Sequence, residues 1–317
     1  VTFGKLHATT FAMASASAGS AEQNKLLTNI ALSAATGAIN MFLTNPLDSL
    51  RIRWQVLPRA SGSPPPASVI SFAADLCRAE GVWRGLWAPG LVPNCVGCAC
   101  SVGVRLGFYP TIRDALCPPG EDAAKRSGAM VASGLMAGAA GYGVASPLFL
   151  VKTRLQARVD VGSGADQFRA ATVELAALCR EHGLPGLWRG APVGVTRGAV
   201  LSASQTAAYD STKAFCRRRG LLDEGPVLHA SASIVAALAL TTAVIPLDVV
   251  LTRYQTASPV DASAGAVGCA WDILKHQGPS GFTRGWWTLF ARMEPSSFFT
   301  FIIYEQLRRL AGLQYLR

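Results

Sequence analysis

Asn45-Pro46-Leu47-Asp48-Ser49-Leu50-Arg51-Ile52-Arg53-Trp54-Gln55 returns in the same order twice more. The second copy is Ser146-Pro147-Leu148-Phe149-Leu150-Val151-Lys152-Thr153-Arg154-Leu155-Gln156, and the third is Ile245-Pro246-Leu247-Asp248-Val249-Val250-Leu251-Thr252-Arg253-Tyr254-Gln255. Each begins on Pro-Leu, with Arg seven residues after the proline and Gln nine. The copies lie about one hundred residues apart, so the chain is built from three tandem units. A proline within a helical stretch removes one backbone bond and bends the helix, which marks the same bend three times.

Downstream of each copy comes a glycine-rich turn with an aromatic: Glu80-Gly81 through Trp87 to Gly90, His182-Gly183 through Trp188-Arg189-Gly190, and Gly278 through Thr283-Arg284-Gly285. Glycine permits the tight turn, and the helix that starts there has free NH groups able to hold an anion. A second apolar helix then runs to Phe108-Tyr109-Pro110-Thr111-Ile112-Arg113, Ala208-Tyr209-Asp210-Ser211-Thr212-Lys213 and Ile303-Tyr304-Glu305-Gln306-Leu307-Arg308. The expected helices lie near 25–57, 90–117, 128–158, 190–218, 228–257 and 285–313, with a short surface helix in each unit. The units divide as 24–118, 119–222 and 223–317, after an extension over 1–23. That extension, rich in Ala and Ser and poor in acids, is compatible with a trimmed targeting segment. Gly103 with Gly107 and Gly134 with Gly138, each four apart, are expected to let helix backbones approach.

Composition sets the environment. Half of the 317 residues are apolar and only 15% are charged, too few charges for an ordinary soluble domain of this length. The apolar stretches are broken by Gly, Ser, Pro and single charges, which membrane helices tolerate where they face one another or a watery cavity. The net charge of +10 is scattered near helix ends instead of forming a basic block with interleaved aromatics, so no nucleic acid is expected as partner. Anionic lipid or an anionic solute suits it better. Cys95 and Cys98 have CxxC spacing but no second ligand pair nearby, so they read as unpaired thiols; no metal or cofactor is expected.

The repeated Pro-x-Asp-x-x-Arg pattern, complete in the first copy and degenerate in the other two, the glycine turns and the Tyr-Glu-x-x-Arg ending resemble the mitochondrial carrier family, over nearly the whole chain from Asn24. The resemblance implies an all-α membrane protein of the inner mitochondrial membrane: six tilted transmembrane helices in three pseudo-symmetric repeats, each with a short matrix-side surface helix. It implies transport, with no enzymatic chemistry. It implies two gates. On the matrix side Asp48 would pair with Lys152 and Asp248 with Arg51, while Phe149 and Leu251 replace both members of the third pair by apolar groups. Gln55, Gln156 and Gln255 would brace that ring. On the cytoplasmic side Asp210 would pair with Arg308 and Glu305 with Arg113, while Pro110 replaces the third acid and leaves Lys213 without its partner. Tyr109, Tyr209 and Tyr304 would brace the second ring. Cardiolipin or a similar anionic phospholipid would sit at the even-helix N-termini.

Val104-Arg105-Leu106-Gly107-Phe108-Tyr109, Thr196-Arg197-Gly198-Ala199 with Gln205, and Thr300-Phe301 with Glu305-Gln306-Leu307-Arg308 resemble the dicarboxylate, oxoglutarate and uncoupling branch. The consecutive arginines and methionines of the ADP/ATP carrier do not follow Gln255. Family contact points fall twelve residues before each terminal Tyr, at Gly97, Arg197 and Arg292. Arg197 and Arg292 would hold an anion in an otherwise unneutralised positive field, with Gly198 admitting it closely. Gly97 stands where the branch has a third arginine. The leading expectation is a carrier that exchanges or co-transports a small organic anion, a keto acid or dicarboxylate, by alternating access. A degenerate carrier kept as a structural subunit of a larger inner-membrane complex is the alternative, and an uncoupling-type proton leak the third.

Overall fold

Each copy of the repeated segment lies inside a long helix, with its proline internal to it. In the computed structural model, which describes residues 2–57, 68–116, 123–158, 164–219, 226–257 and 265–310, these odd helices are α1 (Thr2–Val56), α4 (Ala123–Ala157) and α7 (Pro226–Thr256). The even helices are α3 (Leu91–Leu116), α6 (Ala191–Arg218) and α9 (Trp286–Leu310). Between them run the surface helices α2 (Val69–Glu80), α5 (Gly164–Gly186) and α8 (Gly265–Gln277). Two expected starts are corrected: α1 runs from Thr2 instead of a residue near 25, and α4 from Ala123 instead of one near 128. No proline interrupts α1 before Pro46, and its Ala-rich early part favours continued helix.

The six long helices form a ring in the order α1, α3, α4, α6, α7, α9, and the odd helices also touch one another across its centre. Phe42, Val96, Val131, Met136, Val144 and Ile234 face outward, as lipid requires. The centre is polar: Asn45, Asp48, Ser49, Gln55 and Gln156 are fully buried. Among the described residues, the segments ending at Val56, Leu116, Ala157 and Thr256 are long and apolar enough to cross a membrane. The spans of α6 and α9 carry Arg197 and Arg292 toward the centre.

Each proline leaves the carbonyl four residues upstream without its helical donor, an expensive vacancy in lipid. In the first two repeats a tryptophan from the following glycine turn fills it. Trp87 Nε1 donates to the Phe42 carbonyl, four before Pro46, at 3.0 Å, and Trp188 Nε1 to the Gly143 carbonyl, four before Pro147, at 2.8 Å. In the third repeat Trp286 donates to the hydroxyl of Thr242, four before Pro246, at 3.2 Å. These indoles start from different places in their turns, and a π-helical turn over Trp83–Trp87 brings the first into reach. Trp188→Phe is therefore expected to cost about 1–2 kcal/mol in thermal unfolding, and Trp286→Phe less, since a hydroxyl and not the carbonyl loses its donor. Equal losses would show that ring packing, not the indole NH, matters.

The glycine turns are tight because they meet the neighbouring repeat. Gly90 has φ 64°, and a Cβ there would stand 2.7 Å from the Lys152 carbonyl oxygen. Gly190, at φ 86°, packs on Leu251 and Gln255, and Gly285 on Gln55, so each even helix starts against the glutamine of the next odd helix. The four-apart glycines behave differently from expectation. Gly134 and Gly138 have open space around them, and Gly103 and Gly107 are only in ordinary contact with Ile30. Within the α3–α4 contact the close backbone approach lies at Gly141, where a Cβ would stand 2.5 Å from the Ser101 carbonyl oxygen.

Candidate functional site

Asp48, Arg51, Lys152 and Asp248 come together where α1, α4 and α7 converge, all buried. The side chain of Asp48 pairs with the Lys152 ammonium through Oδ2 and accepts from Arg51 through Oδ1 at 2.7 Å. Arg51 reaches across to Asp248, which also accepts from Gln55 Nε2 at 3.0 Å. The two pairings expected from sequence are thus present in the geometry, joined into one network by Arg51.

Two residues expected to stand in an unneutralised field are part of the same network. Arg197 Nε donates to Asp248 Oδ1 at 2.7 Å, and Arg292 lies 3.5 Å from Asp48 Oδ1. Their long side chains reach from α6 and α9 to the acids of α7 and α1. The field is nevertheless positive: four cations face two carboxylates here among the described residues, an excess of two charges. Above the ring a cavity of about 250 Å³ is lined by Arg197, Arg292, Lys152, Tyr142, Phe149 and Leu251, with Asn94, Cys98 and Ser101 of α3.

Phe149 and Leu251 both face this cavity. Phe149 also explains Gly97: a Cβ on Gly97 would come within 3.2 Å of the Phe149 ring and of Leu148. The contact point on α3 is therefore occupied from α4 and does not line the cavity. Gly198 is exposed with nothing within 4 Å and does not line this cavity, whereas Gly194, one turn earlier on the same face of α6, is buried directly beneath the Tyr142 ring. Cys95 donates to the Ala38 carbonyl at 3.4 Å, and Cys98 packs against Gly37.

Only one of the three glutamines braces an ion pair. Gln55 does; Gln156 instead donates to Asn45 Oδ1 at 3.0 Å and Ser49 Oγ at 3.2 Å. Asn45 accepts from Asn94 as well, so a neutral network ties α1, α3 and α4 together. The Gln255 side chain lies against Gly190, close to the apolar Leu251.

The arginines that recur seven residues after each proline form a further ring. Arg53, Arg154 and Arg253 each donate Nε to the carbonyl of the next repeat's glutamine: Gln156 at 3.2 Å, Gln255 at 3.1 Å and Gln55 at 3.2 Å. Their other nitrogens reach Glu80, Glu174 and Gln277 near or on the surface helices, fastening those helices beneath the ring. The recurrence of Arg seven residues after each proline was the signal.

At the cytoplasmic end the side chains of Asp210, Glu305 and Arg308 fall outside the described residues, and so do the two pairings expected of them. Arg113 donates to the adjacent Asp114 at 2.8 and 2.9 Å. Lys213, expected to lack a partner, stands 5.6 Å above the Tyr209 ring. That contact gives its charge an aromatic face where Pro110 supplies no acid. Tyr109 lines a separate, largely apolar cleft between α3, α4 and α6.

The sequence matches the mitochondrial carrier protein family over residues 22–119, 124–220 and 223–314. It is 29% identical over 298 residues to mitochondrial brown fat uncoupling protein 1 of Canis lupus familiaris, covering 92% of this chain and 94% of that protein. It is 28% identical over 282 residues to the putative mitochondrial transporter UCP3 of the same species, covering 87% and 89%, and 29% over 279 residues to that of Mus musculus. With its three matched repeats, six long helices and buried ring of proline-motif charges, the chain belongs to the mitochondrial carrier family, multi-pass proteins of the inner mitochondrial membrane.

Proposed function

We propose that the protein carries a small organic anion, a keto acid or dicarboxylate, by alternating access, with Arg197 and Arg292 as its ligands. The observation behind this is the excess of two positive charges, among the described residues, at the cavity between the helices, a field that an anion would neutralise. The same contacts suggest how binding reaches the gate. Arg197 and Arg292 are held by Asp248 and Asp48, so an anion that draws them away loosens both carboxylates of the matrix ring. A ligand shifts a conformational equilibrium only by its differential affinity, and competition for shared arginines supplies one. The apolar Phe149 and Leu251 pair replaces an ion pair on both sides at once, so no charge is stranded when the gate closes.

Anionic phospholipid is proposed at the starts of α6 and α9. There Arg189 and Arg284 flank clefts of about 600 and 350 Å³, whereas the first turn has Ala88-Pro89 in their place. Proton leak is a second reading, favoured by the likeness to uncoupling protein 1. An inert subunit of a larger complex is a third, motivated by the missing charges at Gly97, Phe149, Leu251 and Pro110.

Anion-dependent thermal stabilisation of the purified protein tests the ligand assignment. Arg197→Ala and Arg292→Ala are each expected to weaken it at least tens of times, the effect of losing one charge-paired hydrogen bond to a carboxylate. Unchanged stabilisation in both variants would move the site elsewhere.

A further inference from the structure

The cavity has two unlike walls. On α6 and α9 stand the guanidinium groups of Arg197 and Arg292; on α4 stand the rings of Phe149 and Tyr142, with centroids 5.3 Å apart. The aromatic wall is fixed from behind on both flanks. Phe149 lies on Gly97 of α3 and Tyr142 on Gly194 of α6, and neither position has room for a side chain. A charged end pointed at this wall would lose its hydration and find one neutral hydroxyl, that of Tyr142 turned toward Gly194, as its donor, whereas an apolar group would be buried by the rings.

Building on the anion-carrier reading, we infer that Phe149 sets the specificity and that the solute bears its charge at one end only: a 2-oxo carboxylate with a branched or aromatic side chain. The carboxylate and adjacent oxo group meet Arg197 and Arg292, and the side chain lies against Phe149 and Tyr142. A symmetric dicarboxylate such as malate fits less well, because its second carboxylate must crowd the same two arginines, compete with Asp48 for Lys152, or face the rings. Gly97 is then no mere loss of a charge. It is the space that lets Phe149 take its place.

Binding of phenylpyruvate and of malate to the purified protein, each followed by thermal stabilisation across a concentration series, tests this. Phenylpyruvate is expected to bind about tenfold more tightly or better, the effect of burying most of a phenyl ring. Phe149→Leu, which keeps Gly97 covered but removes the ring, is expected to shrink that preference severalfold. Equal binding of the two anions, or preference for malate, overturns the inference and leaves the carrier reading standing. A preference that survives Phe149→Leu unchanged overturns the assignment to Phe149. Failure of every anion to bind, malate and phosphate included, overturns the carrier reading beneath it. The unmodified protein alone decides the solute class, so the test stands even if the variant does not fold.

Discussion

Asp248→Ala is expected to destabilise the protein by about 3–5 kcal/mol, because it leaves buried cations without their carboxylate. Arg51 and Arg197 both pair with Asp248, and Gln55 donates to it. Arg51 keeps Asp48, but Arg197 has no other carboxylate among its described contacts. Adding Arg197→Leu should therefore recover part of the loss. Thermal unfolding of the two single variants and the double variant closes the cycle, with an expected coupling of about 1–3 kcal/mol. Additive losses would mean that Arg197 and Asp248 do not meet in the stable state.

The second large effect runs against a simple restoration of the family pattern. Gly97→Arg should not repair the site: its first side-chain atom already meets Phe149 and Leu148 at 3.2 Å, and its charge would then have to pass the ring. Overpacking of this kind costs about 1–3 kcal/mol, and the buried unpaired charge adds to it. Phe149→Ala by itself leaves a cavity and costs about 3–5 kcal/mol. The double variant is expected to be clearly more stable than the sum of these losses, since each change makes room for or fills the other. Unfolding midpoints measured for all three decide the matter, and an unaffected Gly97→Arg protein would show that the space behind Phe149 is free.

The odd helices, the glycine turns and the two gate pairs were legible because they depend on local chemistry repeated three times. Proline, glycine and an acid three residues from a base keep their meaning wherever the chain goes. What could not be read was how far a side chain travels from one helix to another. Arg197 and Asp248 are 51 residues apart, and nothing in that separation says that an arginine of α6 ends on an acid of α7. Gln156 and Gln255 occupy equivalent places in the motif yet have different surroundings, because Asn45 stands beside one and Leu251 near the other. Gly97 was visible as a missing charge, but the ring filling its place comes from the neighbouring repeat. The indole donors show the same limit: the vacant carbonyl follows from each proline, whereas the tryptophan starts from a different point in each repeat and reaches that carbonyl only in the first two.

Flux through the purified protein in liposomes tests the central claim most directly. With liposomes loaded in turn with oxoglutarate, malate, phosphate and phenylpyruvate, the account predicts saturable anion exchange that is lost in Arg197→Ala and Arg292→Ala. Proton conductance without anion exchange, or no flux with any of the four, would contradict it.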